Sequence, residues 1–238
     1  MSYQSVFKRY EIKYMIDQEQ KERIIEALSF YMKPDQYGQS VVRNVYFDTD
    51  SYRLIRRSIE KPVYKEKLRI RSYEKAKPGS SVFVELKKKY DHVVYKRRIS
   101  MTEKQAMKWL EGDSSYDKKC QIAKEISYFR DYYETLHPAV FLSYERESYR
   151  SKENQEFRVT FDEHVLCRQT NLSLEEDVWG EEILEKGKVL MEIKTAGGIP
   201  LWMTKLLTEE HIYKTSFSKY GTAYQKLILP EIERRIVE

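Results

Sequence analysis

No run of apolar residues in this 238-residue chain approaches the roughly 18 to 20 that a membrane-spanning helix requires. The first residues, MSYQSVFKRYEIKY, are charged from the eighth onward and contain no secretory apolar region. The expectation is a soluble cytoplasmic protein with no direct membrane insertion. Cysteine is scarce: Cys120 and Cys167 stand in unrelated contexts with no CxxC or Cys/His ligand spacing, which excludes a zinc site of that kind and points to reduced thiols. Glycine and proline number only 8 and 6, with no linker, low-complexity segment or exact repeat, so one domain over residues 1–238 is the simpler organisation. Also absent are a P-loop, HExxH, GxSxG and a kinase-type HRD or DFG set. The four histidines, His92, His137, His164 and His211, are scattered and read as structural or exposed, although His92, on the strand that carries Lys96, could approach a phosphate.

What the chain has in quantity is charge, 34% of residues against 41% hydrophobic, with a formal net charge of +5. That balance is globular rather than disordered. Period-two alternation marks eight strands, at 6–16, 41–49, 63–74, 81–90, 92–100, 139–150, 156–164 and 188–196. Helices are predicted at 17–32 and 102–111, where Asp17 with Gln20 and Thr102 with Gln105 make capping boxes. Further helices are expected at 50–60, 118–136, 200–212 and 218–228, and loops at 113–118 and 170–187.

The polar faces of these strands are unusual in sign. Arg9, Glu11 and Lys13 share one side of the first strand, opposite Tyr10, Ile12 and Tyr14. Lys65, Lys67, Arg69 and Arg71 share a face of the third, Glu85, Lys87 and Lys89 of the fourth, and Lys96 and Arg98 of the fifth. Later strands add Arg146, then Arg158 with Asp162, then Glu192 with Lys194. Thirteen cations stand against four acids, which leaves the rest of the chain net negative. One such face would ordinarily be a wet surface, but like charges on neighbouring strands repel, so a plain solvent-facing sheet mixes signs. An accumulation of this kind is held for a polyanion. With the apolar faces covered by amphipathic helices, the expected fold is α+β: a closed antiparallel eight-stranded β-barrel with helices packed outside. Its lumen would take a slender ligand, and phosphate oxygens match the fork of Arg and the point charge of Lys.

YEIKY (10–14), VYFDT (45–49), KLRIRSY (67–73), VFVELKKK (82–89), YKRRIS (95–100), SYERESY (143–149), FRVTFD (157–162), MEIKT (191–195) and FSKYG (217–221), in this order, resemble the triphosphate tunnel metalloenzymes. Within them the closer likeness is to the VTC (vacuolar transporter chaperone) polyphosphate-polymerase domain. The resemblance implies that Lys13, Arg69, Arg71, Lys87, Lys96, Arg146, Arg158 and Lys219 form the catalytic, phosphate-gripping set. Lys67, Lys89, Arg98 and Lys194 join them in phosphate binding, and Lys219 comes from a helix at one tunnel end. It also implies a divalent metal, Mg²⁺ or Mn²⁺, on Glu192, with Glu11 and Glu85 as further candidate ligands. Hydrolytic relatives begin ExExK; here the first Glu is Arg9, which favours the polymerase branch.

The chemistry agrees: phosphoryl transfer needs in-line positioning and charge neutralisation more than covalent help. Glu192 is a suitable hard oxygen ligand for Mg²⁺ or Mn²⁺, or else the salt-bridge partner of a neighbouring cation. The expected activity is transfer of the terminal phosphoryl of ATP or another nucleoside triphosphate to a growing inorganic polyphosphate. Alternatives are a metal-dependent triphosphate hydrolase and a non-catalytic polyphosphate or nucleotide sensor. Nucleic acid is not expected as a partner, because aromatics and cations fall on opposite strand faces. A membrane-associated partner protein is left open.

Overall fold

The structure is a computed structural model and describes residues 6–113, 116 and 120–237. In chain order it runs β1 (Val6–Asp17), α1 (Gln18–Tyr31), β2 (Met32–Asp48), α2 (Arg53–Ile59), β3 (Tyr64–Ser72), β4 (Ser81–Tyr90), β5 (Val93–Thr102), α3 (Glu103–Leu110) and α4 (Gln121–Tyr133). It continues with β6 (His137–Ser151), β7 (Arg158–Arg168), β8 (Glu181–Glu182), β9 (Lys188–Thr195), α5 (Leu201–Glu209), β10 (Lys214–Thr215), α6 (Lys219–Ala223), a π-helical turn (Tyr224–Ile228) and α7 (Leu229–Val237).

Both predicted capping boxes form. The Gln20 N–H donates to the Asp17 carboxylate at 2.8 Å and the Asp17 N–H to the Gln20 side chain at 3.2 Å; Thr102 and Gln105 exchange the same pair of bonds. The π-helical turn and α7 carry the last predicted helix well beyond residue 228.

The strands form one antiparallel sheet in the order β10-β1-β5-β4-β3-β2-β6-β7-β8, with β9 paired to both β1 and β7. The sheet is not the expected closed eight-stranded barrel, and the expectation fails in two respects. The described residues form ten strands, because β8 and β10, of two residues each, carry no alternation for a sequence to display. And the ladder is not continuous through β1. That strand pairs β5 only over Val6–Arg9 and β9 only over Tyr10–Asp17; at Lys13 and Tyr14, where it has neighbours on both flanks, the second is β10. Alternation assigns faces but not the extent of each pairing. The predicted second strand also begins nine residues early: β2 runs from Met32, with a register shift between Pro34 and Gln39 that accommodates a proline and Gly38 at φ +52°.

The sheet is curved, and apolar layers on its convex side hold the curvature. Val45, Leu68, Ile70, Val84 and Leu86 pack under Ala106, Trp109, Ile126 and Phe129 of α3 and α4. Ile16, Val159, Phe161, Met191 and Ile193 pack under Ile24 and Leu28 of α1 and Met203 and Leu207 of α5. A third group lies where the C-terminal helices meet the sheet: Val42, Tyr46, Leu142 and Tyr144 contact Tyr220, Ala223, Tyr224 and Ile228. The concave side is what remains for the charged face. Lys13 of β1 and Lys67 of β3 stand three places apart in strand order, about 14 Å along a flat sheet, yet Lys67 feels the charge of Lys13.

Candidate functional site

Period-two geometry carries the predicted cations onto the concave face, where they gather round two carboxylate centres. The first is Glu85 on β4, fully buried. Arg69 donates to its Oε2 through Nε at 3.0 Å and Nη2 at 2.7 Å, and Lys96 donates to Oε1 at 3.1 Å. Arg71 lies 3.8 Å away, its own donors engaged by Asn44 (2.8 Å) and the Tyr144 hydroxyl (2.9 Å). Burial alone would raise the pKa of Glu85, but Lys96, Arg71 and Arg69 hold it well below the usual carboxylate range.

The second centre joins Glu192 of β9 to Asp162 of β7. Arg146 donates to both Asp162 oxygens at 2.6 Å, and Lys219 reaches the same carboxylate from α6 at 2.5 Å. Glu192 is ringed: Lys13 (3.3 Å) and Lys219 (3.6 Å) face Oε1, while Lys194 (3.0 Å) and Arg146 (3.6 Å) face Oε2. Beside it Lys87 pairs with Glu11 at 2.5 Å. Around the two centres eight cations therefore meet four acids. The excess shows in the lysines. Burial, then the neighbouring charges of Lys13, Lys87, Lys65 and Arg69, hold Lys67 well below the ordinary lysine pKa; burial and Arg146 bring Lys194 down to about 7. Lys67 donates to the Ser218 hydroxyl at 2.8 Å.

Other predicted residues fall at the margins. Lys65, directly opposite Lys89, donates to the Ser58 carbonyl; both lysines are half-buried, and burial lowers the pKa of each, with Lys89 adding to the shift at Lys65 and Lys87 to that at Lys89. Arg98 stacks over Phe83 at 4.7 Å, and Arg158 pairs with Asp35 of β2. The side chain of Arg9 lies outside the described residues. His92 sits exposed in the Asp91–His92 turn between β4 and β5, at φ +65°, rather than on the strand.

The separation of aromatics from cations is corrected too. Tyr46 and Tyr144 share the concave face: the Tyr46 hydroxyl accepts from Arg69 at 2.8 Å, and Arg146 and Lys219 lie 5.0 and 4.4 Å from the Tyr144 ring. A phenol ring suits an array of buried cations, giving each a π face and an oxygen acceptor without adding full negative charge. Sequence reasoning missed these tyrosines, Asn44 and Asp35. The step of two from Arg146 to Tyr144 was the available signal for one of them.

The three candidate metal ligands divide. Glu85 belongs to the other centre and is saturated by guanidinium and ammonium donors. Glu11 and Glu192, on paired strands, sense each other's charge, but both are occupied by lysines and Arg146. Among the described residues no group of three or more acidic, His or Cys side chains is arranged to hold a metal ion. Among the described residues the carboxylates are thus engaged by cations rather than grouped as a preformed metal site.

The site is thus a curved antiparallel sheet whose concave face gathers paired and excess cations. Residues 8–228 match the VTC domain family, and the chain belongs to it. No curated protein matches. Among solved structures it is similar to a "putative adenylate cyclase" from Bacillus halodurans, at 17% identity over 90% of this chain and 96% of that one, TM-score 0.55. Another "putative adenylate cyclase", from Vibrio parahaemolyticus, is 11% identical over 93% and 98%, TM-score 0.50. These likenesses concern the fold. Among the described residues no helix is long and apolar enough to cross a membrane.

Proposed function

We propose that the concave face binds the phosphate chain of a nucleoside triphosphate or inorganic polyphosphate, and that the protein transfers the terminal phosphoryl group of the nucleotide to the growing chain. The observation that carries this reading is the excess of buried cations over carboxylates, with Lys67 and Lys194 held below their ordinary pKa until an anion arrives. A chain of phosphate oxygens is a narrow polyanion that can face both carboxylate centres at once. Membership of the VTC family supports the same ligand class.

In this reading Arg69, Arg71, Lys96 and Arg146 supply directional, charge-assisted donors that fix phosphates in line. Lys13, Lys87, Lys194 and Lys219 neutralise charge where it grows on the transferring group. The carboxylates orient these cations and limit repulsion while the site is empty. Any Mg²⁺ or Mn²⁺ requirement would come with the triphosphate, since magnesium is commonly shared between phosphates and one or two carboxylates.

The test incubates pure protein with ATP, with and without Mn²⁺ or Mg²⁺, and resolves products by gel and phosphorus NMR. Long polyphosphate is the expected product. Orthophosphate alone would instead select hydrolysis, and binding without turnover would select a sensor.

A further inference from the structure

Lys219 is the first residue of a helix that continues through the π-helical turn into α7, and the end of a helix is its least constrained part. Its ammonium also sits on a flexible four-carbon stem. Something else must fix where it points. The next residue, Tyr220, is buried, and its hydroxyl donates to Asp48 Oδ2 at 2.8 Å. Asp48, at the end of β2, is itself immobilised. It accepts the N–H groups of Thr49 (2.9 Å), Leu54 (2.8 Å) and Ile55 (3.0 Å), which anchor it to the start of α2. The Tyr220 ring stacks on Tyr46 with centroids 5.0 Å apart, and Tyr46 is the residue whose hydroxyl accepts from Arg69. The residue before Lys219 is tied as well: Ser218 caps α6 by accepting the Gly221 N–H and receives the Lys67 ammonium on the same oxygen.

We propose that the Tyr220–Asp48 hydrogen bond is a latch that positions Lys219 between Asp162 and Glu192. Tyr220 and Asp48 are thus positioning residues for the anion site. The latch explains why an acid fully buried among backbone donors follows the hydrophobic run Val45–Tyr46–Phe47. Three N–H groups would suffice to seat α2, and the fourth donor comes from 172 residues away in sequence. Because Tyr220 also rests on Tyr46, the latch ties Lys219 at one carboxylate centre to Arg69 at the other, so both would engage the same phosphate chain in register.

This inference rests on the triphosphate-binding reading, and the test keeps the two apart. Tripolyphosphate binding is measured by calorimetry for the wild type, Tyr220→Phe, Lys219→Ala and the double variant, with folding checked by circular dichroism. Tyr220→Phe keeps the ring on Tyr46 and removes only the hydroxyl. Loss of one bond to a charged acceptor should weaken tripolyphosphate about five- to tenfold in the wild-type background. In the Lys219→Ala background the same change should cost less than about twofold, since the group being positioned is gone. Asp48→Asn, nearly isosteric, should follow the same pattern. Equal losses in both backgrounds would overturn the latch and leave Tyr220 a packing residue. So would failure of both Tyr220→Phe and Asp48→Asn to fold. No tripolyphosphate binding by the wild type would overturn the functional reading itself.

Discussion

Lys67 shows how the site stores the cost of being empty. It stands between Lys13, Lys87, Lys65 and Arg69 and donates to a neutral serine hydroxyl. Its folded pKa lies below the unfolded one, so between the two values the unfolded chain binds the proton more readily and stability rises with pH. Lys67→Met should therefore raise the melting temperature of the ligand-free protein near neutral pH, flatten that rise toward pH about 10, and weaken tripolyphosphate binding. Thermal melts across pH decide this, and a lower melting temperature for the variant at neutral pH would mean that Lys67 is compensated. Glu192 has the opposite role. Because it is ringed by Lys13, Lys194, Lys219 and Arg146, Glu192→Gln should destabilise the metal-free protein by leaving those cations with half their compensation. It should leave metal-free tripolyphosphate binding within a few-fold and sharply reduce turnover. Unchanged stability in chelator, with activity lost only when metal is added, would restore Glu192 as a metal ligand.

At the scale of elements, legibility followed local rules. α1 and α3 begin where their capping boxes stand, because a cap is decided by four consecutive residues. The cationic faces of β3, β4 and β5 were readable because side chains alternate strictly. β8 and β10 were not, since pairs of residues held only by a neighbour's backbone leave no pattern. Nor was the division of β1 between β5 and β9, which depends on where distant strands end. The acids were legible as members of a face, but which cation each one neutralises is a matter of register. Glu85, expected as a metal ligand, is the clearest example: β3 places Arg69 directly opposite it and β5 places Arg98 opposite, while Lys96 reaches it diagonally. The packing under the convex face gives a further prediction. Trp109 is fully buried between α3 and the sheet, so Trp109→Ala should cost about 3 to 5 kcal/mol by chemical denaturation. A loss under about 1 kcal/mol would show that α3 contributes little to holding the sheet's curvature.

For the whole molecule the decisive property is a polyanion site that is concave rather than superficial. Eight cations around four carboxylates repel one another in a space from which most water is excluded, and a bound anion relieves that cost. A ligand that binds only the folded chain stabilises it by about 2.7 kcal/mol at a hundredfold excess over Kd. Tripolyphosphate should therefore raise the melting temperature by several degrees. Orthophosphate and sulfate should do much less at equal ionic strength, because each offers a single anionic centre to an array of eight cations. Single-stranded oligonucleotide should do least, since its sugars and bases must follow its phosphates into a face already filled by Tyr46, Tyr144 and the C-terminal helix. Salt separates the possibilities again: exposed charges are screened beyond about 8 Å at physiological ionic strength, whereas enclosed ones are screened far less. The tripolyphosphate shift should accordingly survive in part when salt is raised. Equal stabilisation by oligonucleotide and tripolyphosphate, both vanishing in salt, would mean that the cations act as an open basic surface and that the concave face is not the binding site.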